Sequence, residues 1–106
     1  MFRDIDVAEL AKWRDAEKKF VLLDVREPEE LAIVALPDSL HIPMRDVPMR
    51  FGELDKGATV AVMCHHGGRS ARVAQFLASK GFGDVHNVEG GIDAYAKDVD
   101  PSLPRY

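Results

Sequence analysis

Two short stretches of the chain are apolar almost throughout: 20–23, Phe-Val-Leu-Leu, and 59–63, Thr-Val-Ala-Val-Met. Unbroken runs of this length predict strands buried on both faces. After residue 69 the pattern changes to the period of a helix. Val73, Ala74, Leu77 and Ala78 form one stripe, and Arg72, Gln75 and Ser79 lie opposite. Lys80-Gly81 is a helix stop, with Phe82 placed to fold back on the last turn. Between strand and helix lies a six-residue loop, 64–69, Cys-His-His-Gly-Gly-Arg.

The remaining elements follow from the same signals. Residues 2–4 predict a short edge strand. Asp6 followed by Glu9 reads as a capping box opening a helix to about residue 15, with Val7, Leu10 and Ala11 on one face and Trp13 beside it. Pro28 suits the first turn of a short helix reaching about residue 34. A third strand is expected at 40–42. A helical stretch is expected at 45–54, with Pro48 in its first turn or breaking it. A last strand at 85–88 and a last helix at 91–97 precede an irregular tail containing Pro101 and Pro104. Strands that alternate with helices predict an α/β fold with a mostly parallel sheet.

A length of 106 residues sets one domain, 1–106. The net charge of −4 argues against nucleic acid as a bulk electrostatic partner. The single cysteine excludes a disulfide within the chain and fits a reducing compartment. The opening residues carry no apolar signal segment, and no apolar run reaches membrane-spanning length, so a cytoplasmic protein without a membrane partner is expected.

The loop at 64–69 carries the chemistry. A loop leaving a parallel strand and entering a helix points backbone N–H groups inward, and the helix N-terminus adds partial positive charge. Gly67 and Gly68 let the backbone curl around a ligand. Arg69 adds a fork of donors suited to an oxyanion. A cation there opposes the helix dipole, a broken local rule that points to anion binding. Cys64, expected at the base of a surface pocket, ionises more readily in such surroundings than a free thiol and becomes a nucleophile. His65, His66 and Arg69 line the entrance, which is expected to be positive because no acidic residue lies between Cys64 and Lys80. The two histidines do not suggest a metal site, because adjacent ligands converge poorly on one ion and no second cluster lies nearby in sequence.

Cys64-His65-His66-Gly67-Gly68-Arg69-Ser70 resembles the active-site loop of rhodanese-family sulfurtransferases, Cys-x-x-Gly-x-Arg-Ser/Thr. The segment 23–30, Leu-Asp-Val-Arg-Glu-Pro-Glu-Glu, resembles the family's first signature, and 87–92, Asn-Val-Glu-Gly-Gly-Ile, its closing one. The resemblance covers nearly the whole chain. It departs at 34–39, where Val-Ala-Leu-Pro-Asp-Ser replaces the frequent Gly-His-Ile-Pro-Gly-Ala.

The resemblance implies the three-layer rhodanese-like fold, with a five-stranded sheet flanked by helices. It also implies a sulfurtransferase in which Cys64 takes sulfane sulfur from a small anionic donor, thiosulfate or a persulfide, and becomes a persulfide itself. A thiol, cyanide or a partner protein's cysteine then removes that sulfur. No cofactor is required, and a monomer is expected. His65, His66, Gly67, Gly68, Arg69 and Ser70 would bind the donor, while Asp24, Arg26 and Glu89 would support the pocket. Two competitors remain. One is a persulfide-carrying or sensing module without turnover. The other is a cysteine phosphatase or arsenate reductase, against which the spacing argues: four residues separate Cys64 from Arg69, and the related phosphatases have a loop one residue longer.

Overall fold

The computed structural model describes residues 1–106. Its elements run β1 (Arg3–Ile5), α1 (Val7–Asp15), β2 (Val21–Asp24), α2 (Pro28–Ile33), β3 (Leu40–His41), α3 (Val47–Arg50), β4 (Val60–Met63), α4 (Gly68–Ser79), β5 (Val85–Val88) and α5 (Gly91–Asp98). Single 3₁₀ turns at Met44–Asp46 and Phe51–Glu53 flank α3. The stretch expected as one helix over 45–54 is thus broken into three short pieces around Pro48.

The five strands form one sheet in the order β1-β5-β4-β2-β3, and every pairing is parallel. The wholly apolar β4 is the central strand and is buried at each position. Its alternating side chains feed two separate cores. Val60 and Val62 join Val73, Ala74 and Leu77 of α4 and Val47 of α3 on one side. Ala61 and Met63 join Val7, Leu10 and Trp13 of α1 and Ile92 and Tyr95 of α5 on the other. Each fully buried Val or Met side chain contributes about 1.5–3 kcal/mol relative to an exposed one, so this strand ties both cores to the sheet. The result is a helix–sheet–helix sandwich, as the alternation of elements requires.

Local signals act where expected. Asp6 caps α1 by accepting the Glu9 N–H at 2.8 Å. The reciprocal half of that capping box is absent, because the Glu9 carboxylate accepts the Trp13 indole N–H at 2.8 Å. Trp13 is accordingly a core residue rather than a flanking one. At the end of α4, Gly81 has φ +95°, and the Phe82 N–H returns to the Leu77 carbonyl at 3.2 Å with its ring buried.

Candidate active site

The site begins where β4 ends. The β2 and β4 strands are in register with Asp24 beside Met63, and the Val25 N–H donates to the Met63 carbonyl at 3.0 Å. The carboxyl ends of both strands therefore reach one rim, the place where parallel α/β sheets bind ligands. Cys64 follows Met63 directly. The turn into α4 is tighter than the six residues expected, because the helix already starts at Gly68. Gly67 makes the turn possible with φ +110°, a conformation that disfavours any side chain.

The Cys64 sulfur is held by this turn. It accepts the Gly67 N–H at 3.0 Å and lies 3.3 Å from the Ser70 hydroxyl. Burial pushes the Cys64 thiol up. Hydrogen bonding to the ionised sulfur by the Ser70 side chain and by the N–H groups of Ser70, Gly67 and His66 outweighs that, and the thiol titrates below its ordinary value. The anion cradle is thus built around the sulfur itself.

Cys64 was expected at the base of a surface pocket, and here the structure differs. The residue is 1% exposed and packs with the core on the α4 side. A surface cavity of about 590 Å³ lies on the other face of the sheet, where Trp13, Leu22, Leu36 and Tyr95 of the opposite core meet polar residues such as Arg14 and Asp100. Sealing follows from the tight turn: with α4 starting at Gly68, the sulfur points into its own backbone ring.

Arg69 does not stand free above the loop. Its guanidinium donates to both carboxylate oxygens of Glu30, at 2.7 and 2.8 Å. Hydrogen bonding by Arg69, joined by the Glu27 N–H and the Tyr106 hydroxyl, holds the Glu30 carboxyl down to about 2. The Tyr106 hydroxyl donates to Glu30 at 2.9 Å and accepts from Arg26 at 3.0 Å. The Tyr106 ring stacks on His65, with centroids 3.8 Å apart and planes 4° from parallel. Burial, followed by the neighbouring His66, lowers the His65 imidazole below its usual range.

The residues expected to support the pocket divide. Asp24 and Arg26 form a fully buried pair at 2.7 Å, and Arg26 also donates to the carbonyls of Val34 and Glu30. Through these carbonyls the pair holds the C-terminal half of α2, the helix that carries Glu30. The Glu89 side chain is exposed, while its backbone packs beside Gly67 of the cysteine turn: a Cβ on Gly67 would lie 3.8 Å from the Glu89 Cα. Nearby Gly91 matters too. A Cβ on Gly91 would lie 2.4 Å from the carbonyl oxygens of Cys64 and His65. Those carbonyls accept the N–H groups of Ile92 and Asp93 at 2.9 and 3.1 Å, so the first turn of α5 clamps the loop from behind.

The local sequence around the loop is basic, and a positive entrance was expected. Tertiary structure cancels most of that field. Glu30 closes on Arg69, and Asp93 binds Arg105 at 3.0 Å while lying 3.7 Å from His66. His65, His66 and Asp93 bring donor atoms to within 4.8 Å of one another, the only grouping here with metal-ligand character. Arg105 already engages both oxygens of Asp93.

Sequence reasoning also passed over Asn87. It is buried on β5, and its Oδ1 lies 2.5 Å from the Ser70 hydroxyl. Its place in the closing Asn-Val-Glu-Gly-Gly segment was the available signal.

Comparison with known proteins agrees with this architecture. The sequence profile of the rhodanese-like domain matches residues 6–98. The chain is 41% identical over 111 residues to the rhodanese-like/PpiC domain-containing protein 12, chloroplastic, of Arabidopsis thaliana, covering 98% of this chain but only 37% of that protein. It is 34% identical over 79 residues to the thiosulfate sulfurtransferase GlpE of Pseudomonas syringae, covering 74% of each. A crystal structure of a rhodanese-like domain protein from Staphylococcus aureus superposes with a TM-score of 0.85 at 31% identity, covering 99% of both chains. The parallel sheet, the cysteine turn at its rim and these similarities together place the chain in the family of rhodanese-like domains.

Proposed function

We propose that the protein is a sulfurtransferase that carries sulfane sulfur as a persulfide on Cys64. The observation that carries this reading is the Cys64 sulfur inside a ring of N–H donors at the start of α4, with its thiol titrating low. The thiolate attacks the outer sulfur of a donor such as thiosulfate. The S–S bond of the donor breaks, sulfite leaves with the electron pair, and Cys64 holds the added sulfur. The N–H groups of the turn stabilise the negative charge that develops there. An external thiol or cyanide then takes the sulfur and regenerates the thiolate. A second cysteine in the chain cannot do so, because there is none. The reaction needs no cofactor, and a cytoplasmic monomer meeting small donors and external acceptors is the setting that fits it. That a relative is named a thiosulfate sulfurtransferase supports the choice of donor.

In this reading Arg69 acts with Glu30 as a charge-balanced pair, and His65 and His66 form the rim. Anion attraction then rests mainly on the backbone ring. The near-complete burial of Cys64 favours a second reading, a persulfide-carrying or sensing module that loads sulfur and turns over slowly. Steady-state transfer from thiosulfate to cyanide separates the two. Cys64-dependent turnover supports the enzyme, whereas single loading without turnover supports the module. Hydrolysis of an aryl phosphate that disappears in Cys64→Ser would replace both with a phosphatase.

A further inference from the structure

A chain of hydrogen bonds runs from the surface to the nucleophile: Asp4 to Asn87, Asn87 to Ser70, Ser70 to Cys64. Its polarity is dictated by chemistry. The Asp4 carboxylate can only accept, so the Asn87 amide nitrogen must face it, at 3.1 Å. The Asn87 carbonyl oxygen then faces Ser70, and it too can only accept, so Ser70 spends its single hydroxyl hydrogen on Asn87 at 2.5 Å. The Ser70 oxygen is left as an acceptor towards Cys64, 3.3 Å away, which suits a protonated thiol. Ser70 and Asn87 are buried, so no bulk water relieves this competition. When Cys64 gives up its proton to solvent, Ser70 must swing its hydrogen from Asn87 onto the sulfur, and the Asn87 oxygen loses its partner.

We propose that Asn87, held in one amide orientation by Asp4, is a positioning residue that keeps the Ser70 hydrogen away from the Cys64 sulfur until the thiol ionises. It acts through Ser70 and touches no substrate. The ionisable groups around the cysteine turn are His65 and His66 within it, Asp93 of α5 beside His66, Arg69 of α4 paired with Glu30 of α2, and the Asp24–Arg26 pair where β2 ends beside β4. None of these changes in the variants below. The inference concerns the nucleophile of the sulfurtransferase reading, but it is tested on thiol ionisation alone. Absence of sulfur loading would therefore defeat that reading and leave this result standing.

The test is the pH profile of Cys64 alkylation by iodoacetamide in the full chain. Asn87→Ala frees the Ser70 hydrogen for the thiolate and should move the midpoint down by roughly half a unit to one unit. Asp4→Ala, at an exposed side chain where folding is not at stake, releases the amide to turn its nitrogen towards Ser70 and should shift the midpoint the same way. Asp4→Asn removes the charge but keeps an acceptor for the Asn87 amide, so its profile should match wild type. In a Ser70→Ala background, Asp4→Ala should have no effect. An upward or absent shift in Asp4→Ala overturns the proposal. So does an equal shift in Asp4→Asn, which would mean simple removal of charge, or a shift that persists without Ser70.

Discussion

Arg69 and Glu30, 39 residues apart in sequence, meet through two hydrogen bonds at the mouth of the cysteine turn. The pair balances the charge that Arg69 would otherwise present to a donor. Glu30→Gln keeps one oxygen for the guanidinium and removes the opposing charge. The expected outcome is a lower apparent KM for thiosulfate, by about threefold, and a stronger salt dependence of kcat/KM. Steady-state kinetics at two ionic strengths checks it, and an unchanged KM would show that Arg69 does not act on the donor.

The same pair predicts a pH dependence of stability. Glu30 titrates at about 2 in the folded chain against an ordinary value of 4.5. A carboxyl depressed by folding contributes stability that is complete above 4.5 and is lost as pH falls from 4.5 towards about 2. The contribution is on the order of 1 kcal/mol after solvent screening. Urea unfolding of wild type and Glu30→Gln should therefore differ at pH 7 and converge near pH 2.

Gly91 predicts a sharper loss. Its φ is +59°, and a Cβ would press on two loop carbonyls. Gly91→Ala should destabilise the fold by about 2 kcal/mol or more and slow Cys64 alkylation at neutral pH, because α5 can no longer seat against the turn. Gly68→Ala is the comparison: a Cβ there meets nothing within 4 Å, so stability should change little. Denaturant melts of both variants decide it.

These residues show what the sequence could and could not convey. The cysteine turn, the central strand and the Phe82 fold-back were legible because each is written in neighbouring residues: an apolar run, a glycine pair, a Lys-Gly stop. The partners of Arg69 were not. Glu30 lies on α2 and Tyr106 in the tail, and only the tertiary fold brings them to the loop. The local stretch around Cys64 has no acid, so the entrance read as positive until Glu30 and Asp93 arrived from elsewhere. The close neighbour of Gly91 is likewise distant in sequence, the backbone of residues 64 and 65. Asp24 and Arg26 were expected only as supports of the pocket; their bond to each other is local, between residues two apart.

That buried pair gives a further expectation. Arg26→Met leaves the Asp24 carboxylate without its counter-charge in a fully buried position. Removing one partner of such a pair costs about 3–5 kcal/mol. The double variant Asp24→Leu/Arg26→Met should recover part of that loss, which thermal melts of the three variants would reveal.

The central claim is that Cys64 carries sulfur, and intact mass spectrometry tests it most directly. Reduced wild-type protein incubated with excess thiosulfate should gain the mass of one sulfur atom, lose it on addition of cyanide, and show neither change as Cys64→Ala. A wild-type mass that stays constant, with the Cys64 thiol shown to be free and reduced, would contradict it.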